Sequence, residues 1–334
     1  MIDFRYHVVS LVAVLLALAT GILVGSSLLN QSLIDSQAAT ISSFRDEKDT
    51  LRSDLALAQS QVAYRDAYLG SLNSTLLPSR LIGQRVSLVL LPDADAKDAD
   101  DLAKTLVEAG AQIANRISLT SDFFDEKGVD KPSDAKAGAD APPAEEVDKA
   151  AERDALVRRY ALPDVKGKDA DSQLAAALLS KIPGRTLDAA AGTLLGQLER
   201  TGFIHRETGA DRGDVAVAVA GTPPDKPTDE FNRNRSGAVT LVGALDAAGR
   251  GTVLAGPLKA AAGGAIESVR KSATTSSDVS TVDSLDSPFG RVAVAYALVE
   301  QLAGGSGQYG SGAAADSPLP QFRAVPATSG GKKK

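Results

Sequence analysis

An uncharged, proline-free run over residues 8–29, VVSLVAVLLALATGILVGSSLL, passes without a helix breaker into a seven-residue apolar repeat. Nothing else in the chain restricts its possible folds as much. At ~1.5 Å rise per residue the 22-residue run reaches roughly 33 Å as a helix, sufficient for the ~30 Å hydrocarbon core of a bilayer. Phe4 and Tyr6 precede it, where aromatic rings favour the headgroup level. Asn30, Gln31, Ser32 and Asp35 then return the chain to water. The run also exceeds the ~7–15 residues of a cleaved signal's apolar region, so residues 1–29 read as a short N-terminus and an uncleaved transmembrane signal anchor. Arg5 and the α-amino group lie on one side and Asp35 is the first charge on the other. That balance predicts a single-pass protein of the cytoplasmic membrane, N-terminus inside and C-terminal domain extracytoplasmic.

Residues 30–77 read as a coiled-coil stalk. With Ile34 at position a, the a series is Ile34, Ile41, Lys48, Leu55, Val62, Leu69 and Leu76, and the d series Gln37, Phe44, Leu51, Ala58, Arg65 and Leu72. Ten of these 13 positions are apolar, and no proline intervenes before Pro78. So sustained a repeat predicts a coiled coil rather than a helix covering one core face. Glu47 at g and Arg52 at the following e have the spacing of an interchain pair in a parallel dimer, and Lys48 at a disfavours assemblies larger than two strands. Within the apolar run Ala13, Ala17, Gly21 and Gly25 recur every fourth residue, a ladder of small side chains that lets helix backbones approach closely in lipid. The expected interface joins that ladder to Ile34, Ile41, Phe44, Lys48, Leu51, Leu55, Ala58, Val62, Leu69, Leu72 and Leu76. The partners this implies are a second copy, in a parallel homodimer, and the lipid bilayer.

Residues 78–303 read as a three-layer α/β head, Rossmann-like, with a mostly parallel sheet. Arg85–Leu91 is a buried-strand run, residues 98–109 have helical spacing closed by Gly110, and residues 111–119 read as a second strand. Residues 125–150 hold three prolines, many charges and almost no large apolar side chain, which predicts a disordered acidic insert. Helical spacing returns at 151–160, 171–181 and 187–201, followed by the strand run DVAVAVA at 214–220. A polar loop to Ser236, strands at 238–245 and 252–255, a helix at 265–272, a short strand at 279–282 and a helix opened by Pro288 complete the head. Residues 304–334, Gly- and Ser-rich and ending in three lysines, read as a flexible tail.

Signatures of chemistry are sparse. The net charge of −6 and the lack of a basic face argue against nucleic acid as a partner. With no cysteine and two distant histidines, His7 and His205, the sequence offers no metal-ligand spacing, no thiol nucleophile and no elbow for a serine triad. Gly305–Gly310 spells GxGxxG, but it follows a predicted helix and opens none, so it lacks the context of a phosphate loop. No catalytic, cofactor-binding or metal residue is assigned, no cofactor is expected, and the chain reads as a non-enzyme.

Two stretches, FRYHVVSLVAVLLALATGILVGSSLL at 4–29 and STVDSLDSPFGRVAVAYALVEQLAGGSGQYG at 280–310, resemble the actinobacterial MctB family, the mycobacterial copper transport protein B type. The order of long helix, LIGQRVSLVLLPDAD strand-turn and α/β head fits as well. The resemblance implies copper efflux at the cell envelope. A related SteB-type branch is associated with a membrane protein partner, SteA, in cell separation at the septum. Cuprous ion prefers sulfur ligands, and this chain has no cysteine and one methionine, the initiator. The expectation is therefore a dimeric, membrane-anchored scaffold for partner proteins in a SteB-like role, with a copper transport component as the alternative. A third reading places a small ligand at the carboxyl ends of the head strands, where open α/β sheets bind ligands.

Overall fold

The computed structural model describes residues 4–126, 148–209 and 211–320. Most of the expected acidic insert and the end of the expected tail lie outside the described residues. The chain divides into two compact units, residues 1–65 and 66–334.

One helix, α1 (Phe4–Leu76, 73 residues), carries both the apolar run and the heptads. Its segment Arg5–Gly25 is long and apolar enough to cross a membrane, and none of that segment is buried in the protein. The absence of proline from Val8 to Leu76 is what allows a helix of this length.

The second unit is an α/β head. Its elements are β1 (Arg85–Leu90), α2 (Ala96–Glu108), β2 (Gln112–Leu119), α3 (Lys149–Arg159), α4 (Ala170–Leu178), α5 (Ala189–Arg200), β3 (Ile204–Thr208) and β4 (Val215–Val219). Then follow α6 (Asp229–Ala248), β5 (Thr252–Ala255), α7 (Ala265–Lys271), β6 (Ser280–Val282), α8 (Pro288–Leu302) and β7 (Gln308–Tyr309). The strands form one sheet in the order β3-β2-β1-β4-β5-β6-β7, parallel except for β3, which runs antiparallel at one edge. The chain thus reverses its winding between β1 and β4.

Alternation along the strands assigns the two faces. In β4 and the residue after it, Ala216, Ala218 and Ala220 join the core beneath α3–α7, whereas Val215, Val217 and Val219 join the core beneath α2 and α8. Alanines on the first face leave room for α4 and α6 with Leu174, Leu178, Leu241 and Leu245 between them. Short polar side chains start most head helices: Asp95, Asp148, Asp169, Asp188, Thr228 and Ser287 each accept a hydrogen bond from a first-turn amide.

Three sequence expectations are corrected. Residues 238–245 are not a strand but the middle of α6, which begins at the Thr228 cap with Asp229 and Glu230 in its first turn. The valine- and leucine-rich wording hid a helical period: the buried residues are Asn234, Ala238, Leu241, Val242 and Leu245. Strand β3 carries no strand signal in the sequence, because IHRET has no apolar alternation. Its side chains are held by ion pairs, Arg116 Nε to Glu207 at 2.8 Å and Arg206 to Glu199 at 2.6 Å. Residues 304–320 are not a free tail, since β7 lies within them and Tyr309 is buried.

Candidate functional site

Along α1 most of the described interface candidates are open to solvent. Ala13, Ala17 and Gly21 are exposed and Gly25 half-buried, and a Cβ added at Gly21 or Gly25 would meet nothing within 4 Å. Ile41, Phe44, Leu51, Leu55 and Val62 are each more than half exposed, from 52% to 64%. Lys48 and Ala58 are exposed and Leu69 half-buried. The side chains of Ile34, Leu72 and Leu76 lie outside the described residues. The four-residue spacing of the small ladder and the heptad spacing of the apolar positions each put their members on one side of the helix.

In the head, the crevice where winding reverses is the ordinary place for a ligand in an open α/β sheet. Here it is shut. Gly221, after β4, packs so closely on the Asp93 carbonyl, after β1, that a Cβ there would collide with it. Asp93 itself adopts a left-handed backbone, φ +67°. The space left among Leu91, Asp93, Phe231 and Asn234 is about 20 Å³, room for one water. The reading of a ligand at the carboxyl ends of the strands finds no cavity at this point.

The stretch 280–310, which carries the sequence resemblance, instead builds a buckle at the β6–β7 edge of the sheet. Arg270 of α7 and Asp283, just after β6, form an ion pair of 2.9 Å with side chains 1% and 0% exposed. The guanidinium also donates to Thr281 Oγ1 at 2.8 Å and to the carbonyls of Tyr309 at 2.8 Å and Ala313 at 3.0 Å. Asp283 accepts from Ser284 Oγ at 3.0 Å and from the amides of Ser311 at 2.8 Å and Gly312 at 3.1 Å. A Cβ at Gly310 would collide with the Asp283 carboxylate, and one at Gly290 with the Ser284 carbonyl. The glycines of GSGQYG are therefore packing glycines: Gly307 lies against the Tyr309 ring and Gly305 against Glu300. The tyrosine hydroxyl donates to Glu300, and burial followed by that bond pushes its pKa well above the usual phenol range. Nothing in the sequence singled out Arg270; the carboxylate it serves sits inside the quoted TVDS.

Among the described residues no three His, Cys, Asp or Glu side chains converge to hold a metal ion. His7 lies on α1 and His205 on β3, both exposed.

Comparison with known proteins adds what geometry alone does not. A family model described as "Copper transport outer membrane protein, MctB" matches residues 1–320. The "Copper transporter MctB" of Mycobacterium tuberculosis is 30% identical over 324 residues, covering 93% of this chain and 97% of that protein. The "Copper transporter MctB" of Mycobacterium leprae is 30% identical over 333 residues, 95% of this chain and 98% of that protein. The chain belongs to the MctB family of copper transport outer membrane proteins.

Proposed function

We propose that this chain serves copper handling at the cell envelope as a non-enzymatic, membrane-anchored homodimer, acting through assembly rather than by ligating copper itself. The observation that carries the reading is α1. A continuous helix bears a small-residue ladder and a heptad seam in which Ile41, Phe44, Leu51, Leu55 and Val62 stand more than half exposed. Exposed apolar surface of this extent calls for lipid along the first part and a second helix along the rest. In the parallel arrangement two copies bring Ile41, Phe44, Leu51, Leu55 and Val62 together in register. The N-terminal span anchors the dimer in the cytoplasmic membrane with the head outside.

The donor chemistry supports an indirect role for copper. The chain contains no cysteine and one methionine, so the soft sulfur set that holds cuprous ion is missing from the sequence itself. Copper is then cargo of an assembly that includes a membrane-protein partner, and this chain supplies the anchor and the scaffold. The same scaffold suits the SteB-type role in cell separation with a SteA-type partner. Direct carriage of copper is the reading that the relatives' names favour.

Light scattering on the full chain in detergent, with and without cuprous ion, separates these readings. The proposal expects a dimer whose mass copper does not change and which becomes monomeric with Leu51→Asp and Leu55→Asp together. Stoichiometric, tight copper binding, or assembly that requires copper, would overturn the indirect role.

A further inference from the structure

The seam of α1 carries a charged layer among apolar ones. Lys48 stands at an a position between the d positions Phe44 and Leu51, and Glu47 stands next to it at g. Both side chains are exposed in the single chain. Among the described residues neither makes an ion pair, and the helix itself explains why. Side chains on one helix meet their neighbours three and four residues away. For Lys48 those are Phe44, Arg45, Leu51 and Arg52, and for Glu47 they are Ser43, Phe44, Thr50 and Leu51. Neither set holds an opposite charge. Asp49, at b on the outer side, does have one in reach, and it pairs with Arg52 at 3.6 Å.

A second copy supplies what the single helix lacks. In a parallel, in-register pair a g position lies beside the a position of the same layer on the other helix and reaches on to its following e position. Glu47 of each copy thus comes between Lys48 and Arg52 of the other. The layer then holds as many carboxylates as ammonium groups, with the lysine stems lying along Phe44 and Leu51. A helix with an apolar seam but no carboxylate at that layer would leave Lys48 among apolar neighbours without a counter-charge. Resting on the homodimer reading of α1, we infer that crossed Glu47–Lys48 pairs select a second copy of this chain as the partner of the seam, against other helices of similar heptad pattern.

The test sets charge reversals against one another in the full chain in detergent, with mass followed by light scattering over a concentration series. Glu47→Lys makes the layer wholly positive and Lys48→Glu makes it wholly negative. Each variant alone should therefore dissociate about tenfold or more readily than the unaltered chain. Mixed in equal amounts, the two variants are complementary. The mixture should form dimers about tenfold or more tightly than either variant alone, a recovery that neither misfolding nor an effect within one helix can produce. Asp46→Lys, at the outer f position, changes net charge as Glu47→Lys does and should leave the mass unchanged. If the unaltered chain is a monomer, the homodimer reading falls and this pairing with it. If the unaltered chain is a dimer, three results overturn the pairing alone: single variants that dimerise as tightly as it does, a mixture no tighter than its components, or Asp46→Lys acting like Glu47→Lys.

Discussion

Removal of the Arg270 side chain tests whether the buckle at the C-terminal end of the sheet carries stability. Arg270→Ala leaves the Asp283 carboxylate, 0% exposed, without its counter-charge and strips the Tyr309 and Ala313 carbonyls of a donor. Removing one partner of a buried ion pair costs about 3–5 kcal/mol, mostly because the remaining charge stays buried. For a domain of this size that corresponds to a loss of roughly 6–20 °C in melting temperature. The same helix supplies an internal control. Lys271 pairs with Glu267 at 2.5 Å, but its side chain is 74% exposed, so Lys271→Ala should cost less than about 0.5 kcal/mol. Arg270→Lys should fall between the two, since a single ammonium cannot span the acceptors that the planar guanidinium reaches. Urea unfolding of the full chain, read by circular dichroism and by hydrogen exchange at the Tyr309 and Ser311 amides, measures these losses. Arg270→Ala indistinguishable from Lys271→Ala would refute the reasoning.

Two further outcomes follow from head residues. Asp171, in the first turn of α4, has its pKa raised to about 6, chiefly by burial, with Asp169 adding to it while a 2.6 Å hydrogen bond from Thr240 and the charge of Arg153 oppose it. A carboxyl raised in the folded state favours folding below its unfolded value of 3.8, and that contribution is lost as pH rises through about 6. Unfolding free energy should therefore fall by about 2 kcal/mol between pH 4 and 7 from this group, and Asp171→Asn should flatten the dependence. Gly290→Ala should destabilise by about 1–3 kcal/mol, because its Cβ would meet the Ser284 carbonyl. Gly243→Ala, in the middle of α6 with nothing within 4 Å of the added atom, should instead stabilise by about 0.5–1 kcal/mol. Chemical denaturation distinguishes the two signs.

Much of the architecture was legible because the chain states it locally. The valine–alanine run of DVAVAVA, Pro288 and the φ +93° glycine after α2 each act within a few residues of where they stand. The failures are nonlocal. Residues 304–320 lack apolar mass and so read as a tail, yet their order comes from Arg270 and Asp283, which reach them from α7 and the end of β6. Strand β3 pairs through a ladder that its neighbours impose and through ion pairs to β2 and α5, with no alternation of its own. Helix α6 reads as a strand locally because its valine- and leucine-rich composition masks the helical period of Ala238, Leu241, Val242 and Leu245. For α1 the relation is reversed: the seam is plain in the sequence, and Ile41, Phe44, Leu51, Leu55 and Val62 stand exposed in the single chain.

Cysteine cross-linking therefore tests the central claim most directly, and the chain, which has no native cysteine, suits it without alteration. A disulfide forms only when two Cα atoms come within about 4.4–6.8 Å, so cross-linking reports which side of α1 faces its partner. Single substitutions would be made at Leu51 and Leu55 on the seam and at Ser53 and Ser60 on the opposite side, in the full chain held in membranes under mild oxidation. The account predicts covalent dimers from Leu51→Cys and Leu55→Cys and monomers from Ser53→Cys and Ser60→Cys. Equal cross-linking at all four positions, or at none, would contradict an in-register parallel pair of α1 helices.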